Sequence, residues 1–250
     1  MNGSDTTPQA IESISLDELP RHHPWPARLL DADGESRRRK TANEVFREYE
    51  TDKWSALLAR LAQGRFGLDE IDAMQFNGPQ RIAFSRADEL FLAPPLHARR
   101  LLASLIADCV HSLGGGTGSV VELGAGTGAV IARLALDSRF AGAQFHAGDF
   151  SPSSLQVMDH LARNEGVALT TGLYDFHAQD STLHIPPGSV IFTSFAVAYV
   201  QGLDVGFWQR LMRFAPRAVV VAEPIYQHYR DASLLGLLRR RYCEFNDYNR

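Results

Sequence analysis

Apolar residues recur at helical spacing twice in the first half of the chain. Between Asn43 and Gln63, Val45, Phe46, Tyr49, Trp54, Leu57, Leu58 and Leu61 fall mostly three or four positions apart, which predicts an amphipathic helix capped by Asn43. From His97 to Leu113 the stripe is Leu101, Leu102, Leu105, Ile106, Cys109 and Val110, and Gly114-Gly115-Gly116 ends it. The pattern then changes to short apolar runs alternating with helical stretches. Strands are predicted at Ser119–Leu123, Gln144–Ala147, Ala168–Thr171, Val190–Ser194 and Ala218–Ala222. Helices are predicted up to about Leu136 and around Ser153–Arg163, Val205–Arg213 and Ala232–Tyr242. Runs such as Val190-Ile191-Phe192 and Val219-Val220-Val221 are apolar on both faces, so the sheet should be parallel and covered by helices on both sides. That is an α/β, Rossmann-like doubly wound fold.

The segments before this core read differently. Residues 1–40 carry Pro8, Pro20, Pro24, Pro26 and Gly34 without sustained periodicity and are expected to form a flexible leader. Residues 41–96, above all Glu44–Gly64 and Gly78–Pro95, are expected to form a helical lid. Within it, Gly78-Pro79 and Pro94-Pro95 bracket Arg81, Phe84, Ser85 and Arg86, a stretch able to close over a ligand. Residues 97–250 then form the Rossmann-like domain.

Composition narrows the class. At 250 residues, 45% hydrophobic and 22% charged, the chain can bury a core for one domain with an appendage, which excludes disorder of the whole. A net charge of −4 gives no global reason to expect a nucleic-acid partner, and the runs Arg37-Arg38-Arg39-Lys40 and Arg239-Arg240-Arg241 read as solvated faces. Cys109 and Cys243 lie among apolar helical residues, so neither a disulfide scaffold nor a zinc site is expected, and no other metal signature is visible. No run approaches the roughly eighteen apolar residues of a membrane span and no signal peptide opens the chain, so a soluble, cytoplasmic protein without a membrane partner is expected.

The chemistry concentrates at Val120 to Ala129, V-V-E-L-G-A-G-T-G-A. A buried strand turns there into a helix through Gly124, Gly126 and Gly128, whose freedom at positive φ lets a backbone approach a ligand and offers helix N-terminal N–H groups to it. The residues resemble the first motif of class I S-adenosylmethionine-dependent methyltransferases, E/D-x-G-x-G-x-G, matched by Glu122, Gly124, Gly126 and Gly128. The same letters satisfy the dinucleotide pattern G-x-G-x-x-A, so an NAD(P)-dependent oxidoreductase is the alternative; the acidic Glu122 and the alternate third glycine favour the methyltransferase. A non-catalytic methyltransferase-like binding subunit is a third reading.

The resemblance covers about residues 97–230 and implies further roles. Glu122 suits the ammonium group of S-adenosylmethionine, and Gly124, Ala125, Gly126 and Gly128 cradle its methionine part. Asp149, about twenty positions on, would hold both ribose hydroxyls, with Phe150 covering the adenine and Ser151 opening the next helix. Asp175 and Phe176 would flank the adenine from the third strand. Ser194, Phe195 and Tyr199 would border the methyl group. Glu223, before Pro224, is the candidate general base, with His228 and Tyr226 as second choices. The expected acceptor is a small polar molecule of the arginine, amino-acid, sugar or natural-product type, methylated on nitrogen or oxygen, and the expected assembly is a homodimer. Only a short segment follows Glu223, so the family's closing antiparallel hairpin is expected either to be missing with the chain's last segment or to be replaced, the first being favoured.

Overall fold

The computed structural model describes residues 11–23, 25–26, 29, 40–75, 81–177, 181–200, 205–246 and 248, the side chain of Tyr199 excepted. The chain divides into two compact units, one of residues 1–39, 76–101 and 225–250, the other of residues 40–75 and 102–224.

The first unit holds β1 (Glu12–Ile14), α1 (Leu19–His22), β2 (Ile82–Arg86) and β3 (Glu89–Ala93), with the strands in the antiparallel order β1-β3-β2. Two expectations are corrected here. Residues 12–14 of the expected leader pair with Leu90–Leu92 of β3, and the expected helix at 78–95 contains a hairpin between Ile82 and Ala93. The reason is a period of two: Leu90 and Leu92 are buried beside Ile14, Leu19 and Leu235, while Glu89 and Phe91 face the other way. Gly78 and Pro79 lie outside the described residues. After a short turn at Tyr226–His228, the closing helix of this unit runs over Leu234–Asn246. Its arginines are used internally: Arg240 donates to the Tyr229 carbonyl at 2.7 Å and Arg239 to the Ala87 carbonyl at 3.2 Å.

The second unit is built on a five-stranded parallel sheet. Its strands are β4 (Ser119–Leu123), β5 (Gln144–Asp149), β6 (Leu169–Leu173), β7 (Val190–Ser194) and β8 (Ala218–Ala222), in the order β6-β5-β4-β7-β8. Between them run α5 (Ala129–Ala135), α6 (Pro152–Glu165) and α7 (Val205–Met212), and α4 (Pro95–Val110) precedes β4. Val120, Phe145, Val190 and Phe192 face α4, α5 and α6 through Ile106, Val110, Ile131 and Met158. Val121, Leu123 and Ile191 face α7 through Phe207 and Leu211. Both faces are therefore covered, which is why the strands read as continuous apolar runs.

A further layer lies over α5 and α6. Helix α2 passes through three stretches, Ala42–Phe46, Arg47–Trp54 and Ser55–Leu61, and α3 follows at Leu68–Met74. Thr41, not Asn43, caps α2: its hydroxyl accepts from Glu44 N–H while the Glu44 carboxylate accepts from Thr41 N–H. In its middle stretch α2 widens to hydrogen bonds five residues apart, as from Ser55 N–H to the Glu50 carbonyl. Leu57, Leu61 and Ile71 pack on Ala132, Val157 and Leu161, and Arg133 of α5 reaches Asp69 and the buried Asp72 of α3, both at 2.9 Å. No helix of the described residues is long and apolar enough to cross a membrane.

Candidate nucleotide site

The chain leaves β4 toward β5 and β6 on one side and later returns to β7 and β8 on the other, so the strand order reverses beside the carboxyl end of β4. Open α/β sheets bind ligands at such a point. The glycine turn stands there: Gly124, Gly126 and Gly128 adopt φ of 72°, 57° and 73°. These left-handed values favour glycine. A side-chain carbon on Gly128 would lie 2.8 Å from Met158 of α6, so this glycine sets the approach of two helices.

The N–H groups of Gly124, Ala125, Gly126 and Gly128 face inward, where the sequence predicts that they face a ligand. Gly124 and Ala125 donate to the Gly148 carbonyl at 2.8 and 3.0 Å, and Gly128 donates to the Ala125 carbonyl at 2.9 Å. Gly126 donates to Asp149 Oδ2 at 2.9 Å. Neighbouring strands sit so close that carbonyls and carboxylates of the protein itself satisfy the turn.

The carboxylates have specific places. Glu122, 2% exposed, points along α5 and accepts from Ile131 N–H at 3.1 Å, so it neutralises that helix end from behind the turn. Asp149 ends β5 at 4% exposure; its Oδ1 accepts from Ser151 N–H at 3.0 Å, and burial pushes its pKa up to about 6. The Phe150 N–H also donates to this carboxylate, so three backbone donors converge on Asp149. Ser151 caps α6 by accepting from Ser154 N–H at 3.1 Å.

A residue the sequence reading did not select completes this edge. Glu50 of α2 reaches the start of α6: its carboxylate accepts from Ser151 Oγ at 2.5 Å, from Ser153 Oγ at 2.7 Å and from Ser153 N–H at 3.1 Å. Burial raises its pKa, but these hydrogen bonds outweigh it and the net shift is downward. Only the helical stripe 46, 49, 50, 54, with an acidic residue on an otherwise aromatic face, could have signalled it. The same stripe brings Phe46 and Tyr49 to Phe150, with ring centres 6.0 and 6.2 Å away, and sets Trp54 against Gly126. Tyr49 and Trp54 also belong to the apolar layer under α2.

On the other flank, Phe176 is buried against Tyr174 and Phe207 and lies beside Gly124, while Asp175 is exposed and accepts from His177 N–H at 2.8 Å. At the end of β7 the Ser194 hydroxyl oxygen is buried and meets no hydrogen-bond partner among the described residues. Phe195 follows with φ of 52° and half its surface exposed. Glu223, after β8, accepts from Ala196 and Val197 N–H at 2.8 and 3.0 Å and from Ala198 N–H at 3.2 Å. Burial raises its pKa against these donors. It thus ties the 195–199 turn to β8. Tyr199 lies in that turn with its side chain outside the described residues, and His228 is exposed in the turn Tyr226–His228 of the first unit.

No family model and no curated protein matches the sequence. Solved structures match at low identity. The [4+2]-cyclase SpnF matches at 17% identity and a TM-score of 0.48, over 72% of this chain and 59% of that one. Coclaurine N-methyltransferase bound to N-methylheliamine and SAH matches at 14% and 0.46, over 80% and 55%. An S-adenosylmethionine-dependent methyltransferase from Clostridium acetobutylicum matches at 12% and 0.40, over 53% of each chain. The chain spans less than two thirds of the length of each of these proteins. These matched structures are two methyltransferases and a cyclase; in this chain the glycine turn stands at the switch point of a parallel sheet ordered β6-β5-β4-β7-β8.

Proposed function

We propose that the protein binds S-adenosylmethionine at the glycine turn and transfers its methyl group to nitrogen or oxygen of a small polar acceptor. The observation that carries this reading is electrostatic. The N–H groups of Gly124, Ala125, Gly126, Gly128 and Ile131 are already bonded within the protein, and the two helix starts at the turn each hold a carboxylate, Glu122 on α5 and Glu50 on α6. A dinucleotide phosphate would meet negative charge and few donors, whereas a cationic nucleotide would meet compensation.

The residues present fit such a nucleotide. The remaining acceptor capacity of Asp149 suits a ribose hydroxyl, Phe150 and Phe176 are apolar rings at the ends of adjacent strands, and the buried Ser194 hydroxyl is a polar group in want of a partner. When bound, the nucleotide supplies a methyl group on a sulfonium. The protein's part is to align the acceptor and, where it carries a proton, to remove it. Glu223, its pKa raised, fits a role in shaping the 195–199 turn that would border the acceptor.

Calorimetric titration with S-adenosylmethionine, S-adenosylhomocysteine, NAD and NADP tests the cofactor. Binding of the first pair alone is expected, and tighter binding of NAD or NADP would overturn the reading. Transfer of a labelled methyl group into a metabolite extract tests the activity; cofactor binding without transfer to any metabolite would leave a binding subunit instead.

A further inference from the structure

The sheet of the second unit ends in β8, and among the described residues no strand pairs with its outer side. The Ala222 carbonyl accepts from Phe195 N–H at 3.2 Å, so Ala222 turns its backbone groups toward β7. Alternation along the strand gives Ala218 and Val220 the same direction and points the N–H and C=O groups of Val219 and Val221 away from the sheet. Such an edge is ordinarily blunted by a charge or a proline within the strand, or by a covering element. Ala218–Ala222 carries neither charge nor proline, and its side chains are apolar and half-buried. The edge is also self-complementary. From Pro216 to Pro224 it reads P-R-A-V-V-V-A-E-P, a palindrome about Val220 in which arginine answers glutamate. We propose that the β8 edge is the contact between two copies of this chain, joined antiparallel about Val220 into one continuous sheet.

A two-fold axis at Val220 sets Val219 opposite Val221, Ala218 opposite Ala222 and the exposed Arg217 opposite Glu223 of the second copy. Val219 and Val221, whose backbone groups point outward, form the hydrogen-bonded pairs, and the two Val220 residues form the closer non-hydrogen-bonded pair. Pro216 and Pro224 end the pairing at equal distances from the axis. Any other two-fold register separates Arg217 from Glu223. A second copy therefore fits this edge better than a foreign strand, because symmetry supplies the charge pair at both ends. The surface beside the edge agrees. Helix α7 crosses from β7 to β8, and its Val205, Trp208 and Met212 are exposed in one stripe at spacings of three and four. A strand pair alone buries less than the roughly 1,600 Å² of an ordinary interface. This stripe adds apolar surface on the face of the sheet where Val219 packs. The contact stands apart from the nucleotide reading, and either can fail alone.

The test uses sedimentation velocity of the full chain from micromolar to submillimolar concentration, where a dimer is expected. Val221→Pro removes an outward N–H and leaves the hydrogen bonds to β7 in place, and Arg217→Glu sets like charges opposite each other at both ends. Each is expected to raise the dimer dissociation constant about tenfold or more. The register is tested by cysteine cross-linking with diamide as oxidant, in a chain whose exposed Cys109 is replaced by serine. Val220→Cys is expected to give a disulfide-linked dimer, because the axis brings the two residues to the Cα separation of a non-hydrogen-bonded pair, about 4.5 Å. Val219→Cys faces Val221 of the second copy and is expected not to cross-link. Cross-linking leaves the edge otherwise intact, so it decides the matter even where Val221→Pro does not fold. A monomeric wild type, a dimer equally tight in both edge variants, or cross-linking through Val219→Cys in place of Val220→Cys would overturn the contact.

Discussion

Asp149 Oδ2 accepts the Gly126 N–H at 2.9 Å, so the carboxylate that ends β5 is bound to the glycine turn that follows β4. Burial dominates its titration and places its folded pKa at about 6, above the ordinary aspartate value. The unfolded chain therefore loses this proton first as pH rises, and stability falls between about pH 4 and 6, by up to roughly 3 kcal/mol. Urea unfolding across that range is expected to show this loss in wild type and not in Asp149→Asn, even though the amide keeps only one acceptor. Parallel pH curves for the two proteins would remove Asp149 as the source.

His146 acts with the opposite sign. It lies within β5 at 6% exposure with neither ring nitrogen hydrogen-bonded among the described residues, and His184 stands 5.9 Å away, centre to centre. Burial first, and His184 second, lower its pKa. The unfolded chain then binds the proton more readily, so stability is lost as pH falls through the ordinary histidine range. His146→Leu is expected to be less sensitive than wild type to a drop from pH 7.5 to 5.5. Equal losses of urea midpoint in both proteins would show that the ring does not titrate there.

Glu223 accepts three successive backbone N–H groups, from Ala196, Val197 and Ala198. Glu223→Gln leaves one acceptor oxygen for donors that two oxygens now serve, and a cost of about 1–3 kcal/mol is expected from the donor left unpaired. Activity should fall together with stability, because the 195–199 turn loosens. Unchanged unfolding free energy with a large loss of turnover would instead mark Glu223 as a proton-transfer group and not a turn anchor.

The parts of this molecule that could be read in advance are those governed by local pattern. The five parallel strands and their helices follow from apolar runs such as Val190-Ile191-Phe192, and the turn follows from glycines that must adopt positive φ. What could not be read depends on contacts far apart in sequence. Glu50 gains its place only because α2 lies over α6, about a hundred residues on, and apart from its place on an aromatic stripe nothing local distinguishes it from a solvated helix glutamate. The hairpin at 82–93 was obscured because its alternation is short and lies between prolines, and β1 because three residues show no period. The glycine motif signalled a ligand turn, but the direction of its N–H groups is set by Gly148 and Asp149 on the neighbouring strand.

Two glycines separate backbone strain from crowding. Gly124 and Gly166 both have positive φ, 72° and 68°. An alanine at Gly166 meets nothing within 4 Å, so Gly166→Ala should cost only the left-handed backbone term, about 1–2 kcal/mol. At Gly124 the new carbon would lie 2.4 Å from the Ala196 side chain and 3.2 Å from the Phe176 ring. Overpacking there adds about 1–3 kcal/mol to the same backbone term. Because Ala196 is fixed by Glu223 and Phe176 is buried against Tyr174 and Phe207, neither neighbour can withdraw cheaply. Urea unfolding should therefore rank Gly124→Ala well below Gly166→Ala, and nucleotide affinity should fall only in the former. Equal stability of the two variants would mean that Ala196 and Phe176 yield, and that the turn is not clamped between them.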